Sequence, residues 1–349
     1  PALALGGAAA NVVLLVGDGL GLAQLAAARI HAYGPDGRLR LERLPVLGLV
    51  ATHPAGALVA KSDAAATALA TGEKTANGRI AVDRQGRPLR SYAEALHAAG
   101  GAVGLVTTSS LTDATPAAFG AHVERRGDEA QIAEQLVESG FDLLLGGGRA
   151  AFTPRSEPGG ERSDGRDLRA EARARGWRVI ERAEELAGDE LPLLGLFADG
   201  KLPIASTDPS LERMARAALA RLAASGRRFF LLIEDEGIDS AGHARRLGAM
   251  ASSLTAFDAA VGAAVELAAG DGRTLVLVVG DHATGALSID PASTADQLVV
   301  RWGSDGHTGE PVPLFAYGPG AERFAGLQDN TELARKIAGL LGVGLDARP

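Results

Sequence analysis

The sequence predicts an α/β protein with a mainly parallel central sheet covered by helices on both faces. Short, unbroken apolar runs ending in Gly or Asp alternate with longer Ala/Leu/Arg segments of helical period. The 349 residues, 46% apolar and 22% charged, supply a sizeable core. A strand buried on both faces reads as a continuous apolar run, whereas a sheet with one wet face would alternate.

Residues 11–19 (NVVLLVGDG) read as a buried strand, and GLAQLAAARIHAYG after it as a helix. SDAAATALA, from Ser62, has the composition of a further helix. VGLVTTSS (103–110) predicts a strand, followed by helical DEAQIAEQLVESG and another strand in FDLLLGGG. SLERMARAALARLAAS (210–225) spaces its apolar residues as an amphipathic helix, and FFLLIEDEGID follows as a strand. RRLGAMASSLTAFDAAVGAAVELAAG is a long helix, TLVLVVGDH (274–282) a strand, and VPLFAYGPG one more strand. No internal repeat divides the chain, so residues 1–349 are expected to form one domain. Residues 151–170, polar and rich in Gly and Arg around TPRSEPGGERSDGRDLR, are expected to be an exposed, mobile excursion.

A net charge of −8 argues against a nucleic-acid surface, which needs clustered positive charge. No 18-residue window is unbroken apolar, so no membrane span is expected. Cysteine is absent, which removes disulfides, thiolate metal sites and thiol nucleophiles together. The opening PALALGGAAA lacks the basic and apolar regions of a signal peptide, so either the protein is cytosolic or a leader has been removed. Lysine occurs only at positions 61, 74, 201 and 336, and arginine supplies the rest of the 35 basic residues. That bias suits a heat-tolerant protein, but a GC-rich coding genome explains it more simply.

Acidic residues collect where three strands end: Asp18 after VVLLVG, Glu234 and Asp239 in LLIEDEGID, and Asp281 with His282 in VLVVGDH. Ligands of open α/β sheets bind just beyond the carboxyl ends of the strands. Several carboxylates at one edge repel one another unless a cation is shared among them. One such Asp alone would be read as a turn or cap residue. Three together, two of them accompanied by histidine, favour a metal site. His243 follows Asp239 by four residues, His282 adjoins Asp281, and His307 lies in the polar loop GSDGHTGE. His31, His53 and His97 read as ordinary surface or helix residues, and His122 as structural. Carboxylate and imidazole without thiolate suit a catalytic zinc site, although Mn²⁺, Co²⁺ or Fe accept the same ligands.

LVAKSDAAATALATGEKTANG (58–78) holds a single serine before a run of the smallest side chains. Ser62 in that place is a favoured helix N-cap, and capping alone is the bland expectation. The same geometry aims a helix dipole at a bound anion, and cations beside a serine would activate it without a histidine base.

At this point the sequence resembles the alkaline phosphatases. The likeness rests on NVVLLVGDGLG, SDAAATALATGEKTANG, LTDATPAAFGAHVERR, EDEGIDSAGH, VVGDHATG and GHTGEPVPLFAYGPG, in that family's order, from about residue 11 to 320. It implies a hydrolase of small phosphate monoesters that passes through a phosphoserine at Ser62 and releases inorganic phosphate. It also implies two zinc ions and one magnesium. Asp239, His243 and His307 would hold the first zinc, and Asp18, Asp281 and His282 the second. Asp18, Glu234 and Thr115 would hold magnesium, with Asp113 acting through water. Arg126 would grip the phosphate, its neighbour Arg125 being the competing assignment. The family implies a periplasmic or secreted location and a homodimer.

Two positions depart from the family pattern. Lys61 precedes Ser62 where the family commonly has Asp, which leaves Asp63 or Lys61 to compensate in orienting Arg126. Ser240 follows Asp239 where Lys or His is common, which implies looser phosphate binding. The rival readings are a phosphodiesterase, a sulfatase or a phosphoglycerate mutase on the same scaffold, and a non-catalytic metal- or phosphate-binding protein.

Overall fold

The computed structural model describes residues 9–345; the opening residues weighed above for a leader lie, up to Ala8, outside the described residues. Among the described residues fourteen strands follow in chain order: β1 Asn11–Gly17, β2 Val46–Ala51, β3 Ala102–Ser110, β4 Leu143–Gly147, β5 Arg178–Ile180, β6 Leu193–Leu196, β7 Phe229–Asp235, β8 Thr274–Gly280, β9 Ala283–Thr284, β10 Leu287–Ile289, β11 Val300–Trp302, β12 His307–Thr308, β13 Val312–Tyr317 and β14 Gly326–Asp329. The helices are α1 Leu22–Tyr33, α2 Ser62–Thr71, α3 Tyr92–Ala98, α4 Ala114–Gly120, α5 Glu129–Glu138, α6 Arg149–Phe152, α7 Leu168–Ala174, α8 Leu211–Ala224, α9 Gly237–His243, α10 Leu247–Asp271 and α11 Asn330–Leu341.

Ten strands form one sheet in the order β14-β2-β13-β8-β1-β7-β3-β4-β6-β5. All its pairs are parallel except those of β13, which runs antiparallel to both β8 and β2. Parallel neighbours need crossovers, and the Ala- and Leu-rich helices supply them on both faces. Strand pleating divides β1 between two cores. Val12, Leu14 and Val16 belong to the core shared with α2, α3, α4, α5 and α11 on one face. Val13 and Leu15 meet α1, α8 and α10 on the other. Each buried leucine here is worth about 2–5 kcal/mol against alanine.

The 25-residue α10 is apolar enough to cross a membrane by length and composition. Here it is a core helix, with Met250, Leu254, Phe257 and Val261 fully buried. Its Asp258 accepts the backbone N–H of Leu41 at 2.9 Å, which ties the α1–β2 connection to the helix.

The excursion is exposed along residues 155–159, yet it is pinned from below. Arg162 is buried and donates through Nη1 to Ala130 O at 2.8 Å and Ala151 O at 3.2 Å. Arg166 bonds Glu171 at 2.6 Å and also pairs with Glu134. Arg169 binds Glu157 at 2.6 Å and Asp167 at 3.0 Å. The arginines that make the segment read as polar are also what tie it to the neighbouring helices.

Candidate active site

Register brings the scattered carboxylates to one edge. Gly17 of β1 lies level with Gly280 of β8 and Asp235 of β7, and Glu234 lies level with Val16 and with Thr107 of β3. The residues that follow these strand ends therefore share one cleft of about 510 Å³, lined among others by Asp18, Ser62, Asp113, Arg126, Asp239, His243 and His307. Gly19, with φ +78°, makes the approach of two walls feasible: a Cβ there would lie 2.9 Å from Asp239 Cα.

Ligand-type atoms of Asp239, His243 and His307 all lie within 4.8 Å of one another, and so do those of Asp18, Asp281 and His282. In the first group, His243 Nδ1 lies 2.6 Å from Asp305 O and His307 Nδ1 lies 3.0 Å from Ala60 O. A carbonyl only accepts, so each Nδ1 holds a proton and each Nε2 turns inward. The two Nε2 atoms are 3.0 Å apart, with Asp239 oxygens 3.2 and 3.6 Å away. Facing imidazole nitrogens beside a carboxylate are the donor set of a divalent cation. The Asp239 hydrogen bond raises His243 to about 9, so a cation here would displace a proton.

In the second group, His282 Nε2 is 3.4 Å from Asp18 Oδ1 and 3.1 Å from Asp281 Oδ2. Neither oxygen has a hydrogen-bond partner, although both are buried. Asp281 spends its other oxygen on Gly19 N at 3.0 Å and His282 N at 2.8 Å. Burial pushes Asp281 up to about 7, and burial with the Asp281 and Asp239 charges raises Asp18 well above its usual range. A shared cation is the charge that lets such carboxyls ionise together. Burial lowers His282 to about 3, which keeps it a neutral ligand at working pH. Its ring stacks on that of His307 at 3.6 Å between centroids, which sets the two groups side by side.

Ser62 opens α2, but the N-cap of that helix is Lys61, without a side-chain cap bond. The capping expectation is therefore corrected. The Ser62 hydroxyl instead faces His282 Nε2 at 3.2 Å. Small residues after it keep α2 fully buried between α4 and α11.

Asp63 answers the question raised by Lys61. Arg126 Nη1 donates to Asp63 Oδ2 at 3.2 Å and Nη2 to Asp113 Oδ1 at 2.7 Å. Asp63 Oδ1 also accepts Gly78 N at 2.7 Å, and Arg126 N bonds Gly78 O at 2.9 Å, so the two loops are laced together. Among the described residues Lys61 bonds through its backbone alone, its N–H to Asn77 Oδ1 at 2.9 Å and its carbonyl to Ala65 N at 3.0 Å. Arg125 faces solvent, 81% exposed, and pairs with Asp128, so the arginine in the cleft is Arg126.

Glu234 bonds Thr107 at 2.5 Å; burial and the nearby Asp113 charge push it up to about 8. Thr115 Oγ1 is buried close by without a well-formed hydrogen bond. Thr115 and Asp113 both lie near the Glu234 carboxyl, and Asp113 is itself engaged by Arg126, by Ser109 at 2.6 Å and by Lys201 at 3.5 Å. His31, His53 and His97 lie away from the cleft. His122 bridges Ala81 O at 2.9 Å and Glu94 at 2.8 Å. Lys201 and Glu236, joined at 2.5 Å, also line the cleft and escaped the sequence reading. Nothing in ADGKLPI marks its lysine; only the packing of its loop on β3 does.

Comparison with known proteins agrees with this geometry. The alkaline phosphatase family model matches residues 9–299 and 290–343. The chain belongs to the alkaline phosphatase family. It is 32% identical to an alkaline phosphatase of Escherichia fergusonii, over 96% of this chain and 86% of that protein. It is 36% identical to the streptomycin-6-phosphate phosphatase of Streptomyces griseus, over 96% and 91%. The Thermus thermophilus alkaline phosphatase structure superposes with a TM-score of 0.90 at 30% identity, covering 99% of this chain and 93% of that one. That of the Antarctic bacterium TAB5 gives 0.87 at 30%, over 97% and 99%. The protein is accordingly a metal-dependent phosphoric monoester hydrolase, and the diesterase, sulfatase and mutase readings are not favoured.

Proposed function

We propose that Ser62 is the nucleophile of a phosphomonoesterase that works through a phosphoserine. The carrying observation is its hydroxyl 3.2 Å from His282 Nε2, beside the unpartnered oxygens of Asp18 and Asp281. Asp18, Asp281 and His282 would hold one zinc, and Asp239, His243 and His307 the other. Asp18, Glu234 and Thr115 are an all-oxygen set suited to magnesium, with Asp113 acting through water. A TAB5 variant carries magnesium in a site termed M3. When bound, the zinc pair supplies positive charge to attacking and leaving oxygens and lowers the serine pKa.

Ser62 Oγ attacks phosphorus opposite the ester oxygen. The Ser62 hydroxyl proton passes to solvent water, the Oγ–P bond forms as the P–O bond to the alcohol breaks, and the alcohol oxygen takes a proton back from water as it leaves. A second water then attacks the phosphoserine, restores the Ser62 hydroxyl and frees inorganic phosphate. Arg126 spans two non-bridging oxygens with its planar fork, held by Asp63 and Asp113. Deprotonation steps of this kind favour alkaline pH. We further propose a single catalytic domain, action outside the cytoplasm and a homodimer, on the family's pattern.

The test combines metal analysis with turnover of a simple phosphomonoester, a diester and a sulfate ester. Ser62→Ala should keep its zinc, lose the phosphoenzyme and lose at least ~1000-fold in turnover, about 4 kcal/mol of barrier. Unchanged turnover in that variant, or activity that survives EDTA, refutes the reading.

A further inference from the structure

Lys201 is not a loose surface lysine. Its loop follows β6 and is sewn to the sheet edge: Leu202 N donates to Thr108 O at 2.8 Å, and Gly148 N to Gly200 O at 2.8 Å. The same Thr108 accepts Glu236 N on its Oγ1 at 2.9 Å. One residue at the end of β3 thus fixes both the lysine and the carboxylate it meets. Lys201 Nζ lies 2.5 Å from Glu236 Oε1 and 3.5 Å from Asp113 Oδ2. Glu236 Oε1 is bound in addition by Ser240 Oγ at 2.6 Å. Asp113 therefore stands between two cations, with Arg126 on one oxygen and Lys201 on the other. Lys201 nevertheless keeps its side chain 47% exposed, into the cleft that Ser62 and Arg126 line. The cleft is otherwise crowded with carboxylates, an unfavourable field for a dianion.

We propose that Lys201 is the second cation of the phosphoryl subsite, shared between Glu236 and the bound phosphate, and that this sharing sets phosphate affinity. The proposal rests on the active site described above. An ammonium is a point charge on a flexible stem, so it can turn from Glu236 toward a phosphoryl oxygen without moving the backbone. Glu236 then acts as a counterweight: it holds the ammonium at the rim and limits how tightly product is retained.

The test is calorimetric titration of zinc- and magnesium-loaded enzyme with inorganic phosphate, with zinc content measured in each variant. Lys201→Ala should raise the phosphate Kd ~10-fold with zinc unchanged, and Lys201→Arg should stay within ~3-fold of the parent. Glu236→Gln should lower the Kd ~3-fold, since it frees the ammonium. In steady state Lys201→Ala should raise KM and the phosphate inhibition constant together, with kcat equal or higher as product leaves sooner. Parent-like phosphate binding by Lys201→Ala, weaker binding by Glu236→Gln, or zinc loss on lysine removal each overturns the proposal. Failure of the parent itself to hold zinc and phosphate would instead overturn the two-zinc reading.

Discussion

Arg126 and Asp63, 63 residues apart in the chain, meet at 3.2 Å, and Asp63 is wholly buried while the guanidinium reaches into the cleft. The carboxylate that orients the arginine thus follows the serine along the chain. It points the same way because α2 begins at Ser62 and turns Asp63 toward Gly78.

Asp63→Ala should therefore reduce kcat/KM for a phosphomonoester by ~10- to 100-fold, with a matching rise in the phosphate inhibition constant. Arg125→Ala, which removes only a solvent-facing side chain, should stay within ~2-fold. Steady-state kinetics on both variants separate the two arginines.

The two histidine-carboxylate groups should couple metal to folding. Zinc at ~100 times its dissociation constant stabilises by about 2.7 kcal/mol per site, so EDTA should lower the melting temperature by ~4 °C for each zinc removed. His307→Ala should lose one zinc equivalent and most of that increment. Calorimetric melting with metal analysis reads both.

His122 offers a pH test away from the metals. Burial alone would lower its pKa, but the Glu94 hydrogen bond and charge outweigh burial and hold it above the ordinary 6.5. A raised folded-state pKa gives stability that is complete below pH 6.5 and lost as pH rises through the folded value. Glu94→Gln should therefore lower the melting temperature more at pH 6 than at pH 9, by ~2 °C. Equal shifts at both pH values would deny the charged pair.

Arg162 is 1% exposed and satisfies two backbone carbonyls. Arg162→Met leaves both unpaired and should cost about 2–3 kcal/mol. Limited proteolysis should then cut within residues 155–161 well before the parent is cut there.

The sequence by itself determined the alternation of buried strands with helices, because burial on both faces leaves unbroken apolar runs. It determined too that acidic residues collect at the carboxyl ends of three strands, with Asp18 and Asp281 just past β1 and β8 and Glu234 next to last in the β7 run. Within the central sheet it missed β2, β5, β6 and β14, which are short or lie near the sheet edges, and outside it the two- and three-residue strands β9 to β12. The antiparallel sense of β13 was equally hidden, because direction leaves no trace in an apolar run. Tertiary structure alone decided that His307 returns over His282, through the two-residue pairing of β12 with β9. It alone turned Ser62 from its own helix end toward that imidazole, and brought Lys201 to Glu236. Such contacts join residues far apart in the chain through register and loop packing, and local spacing does not encode them.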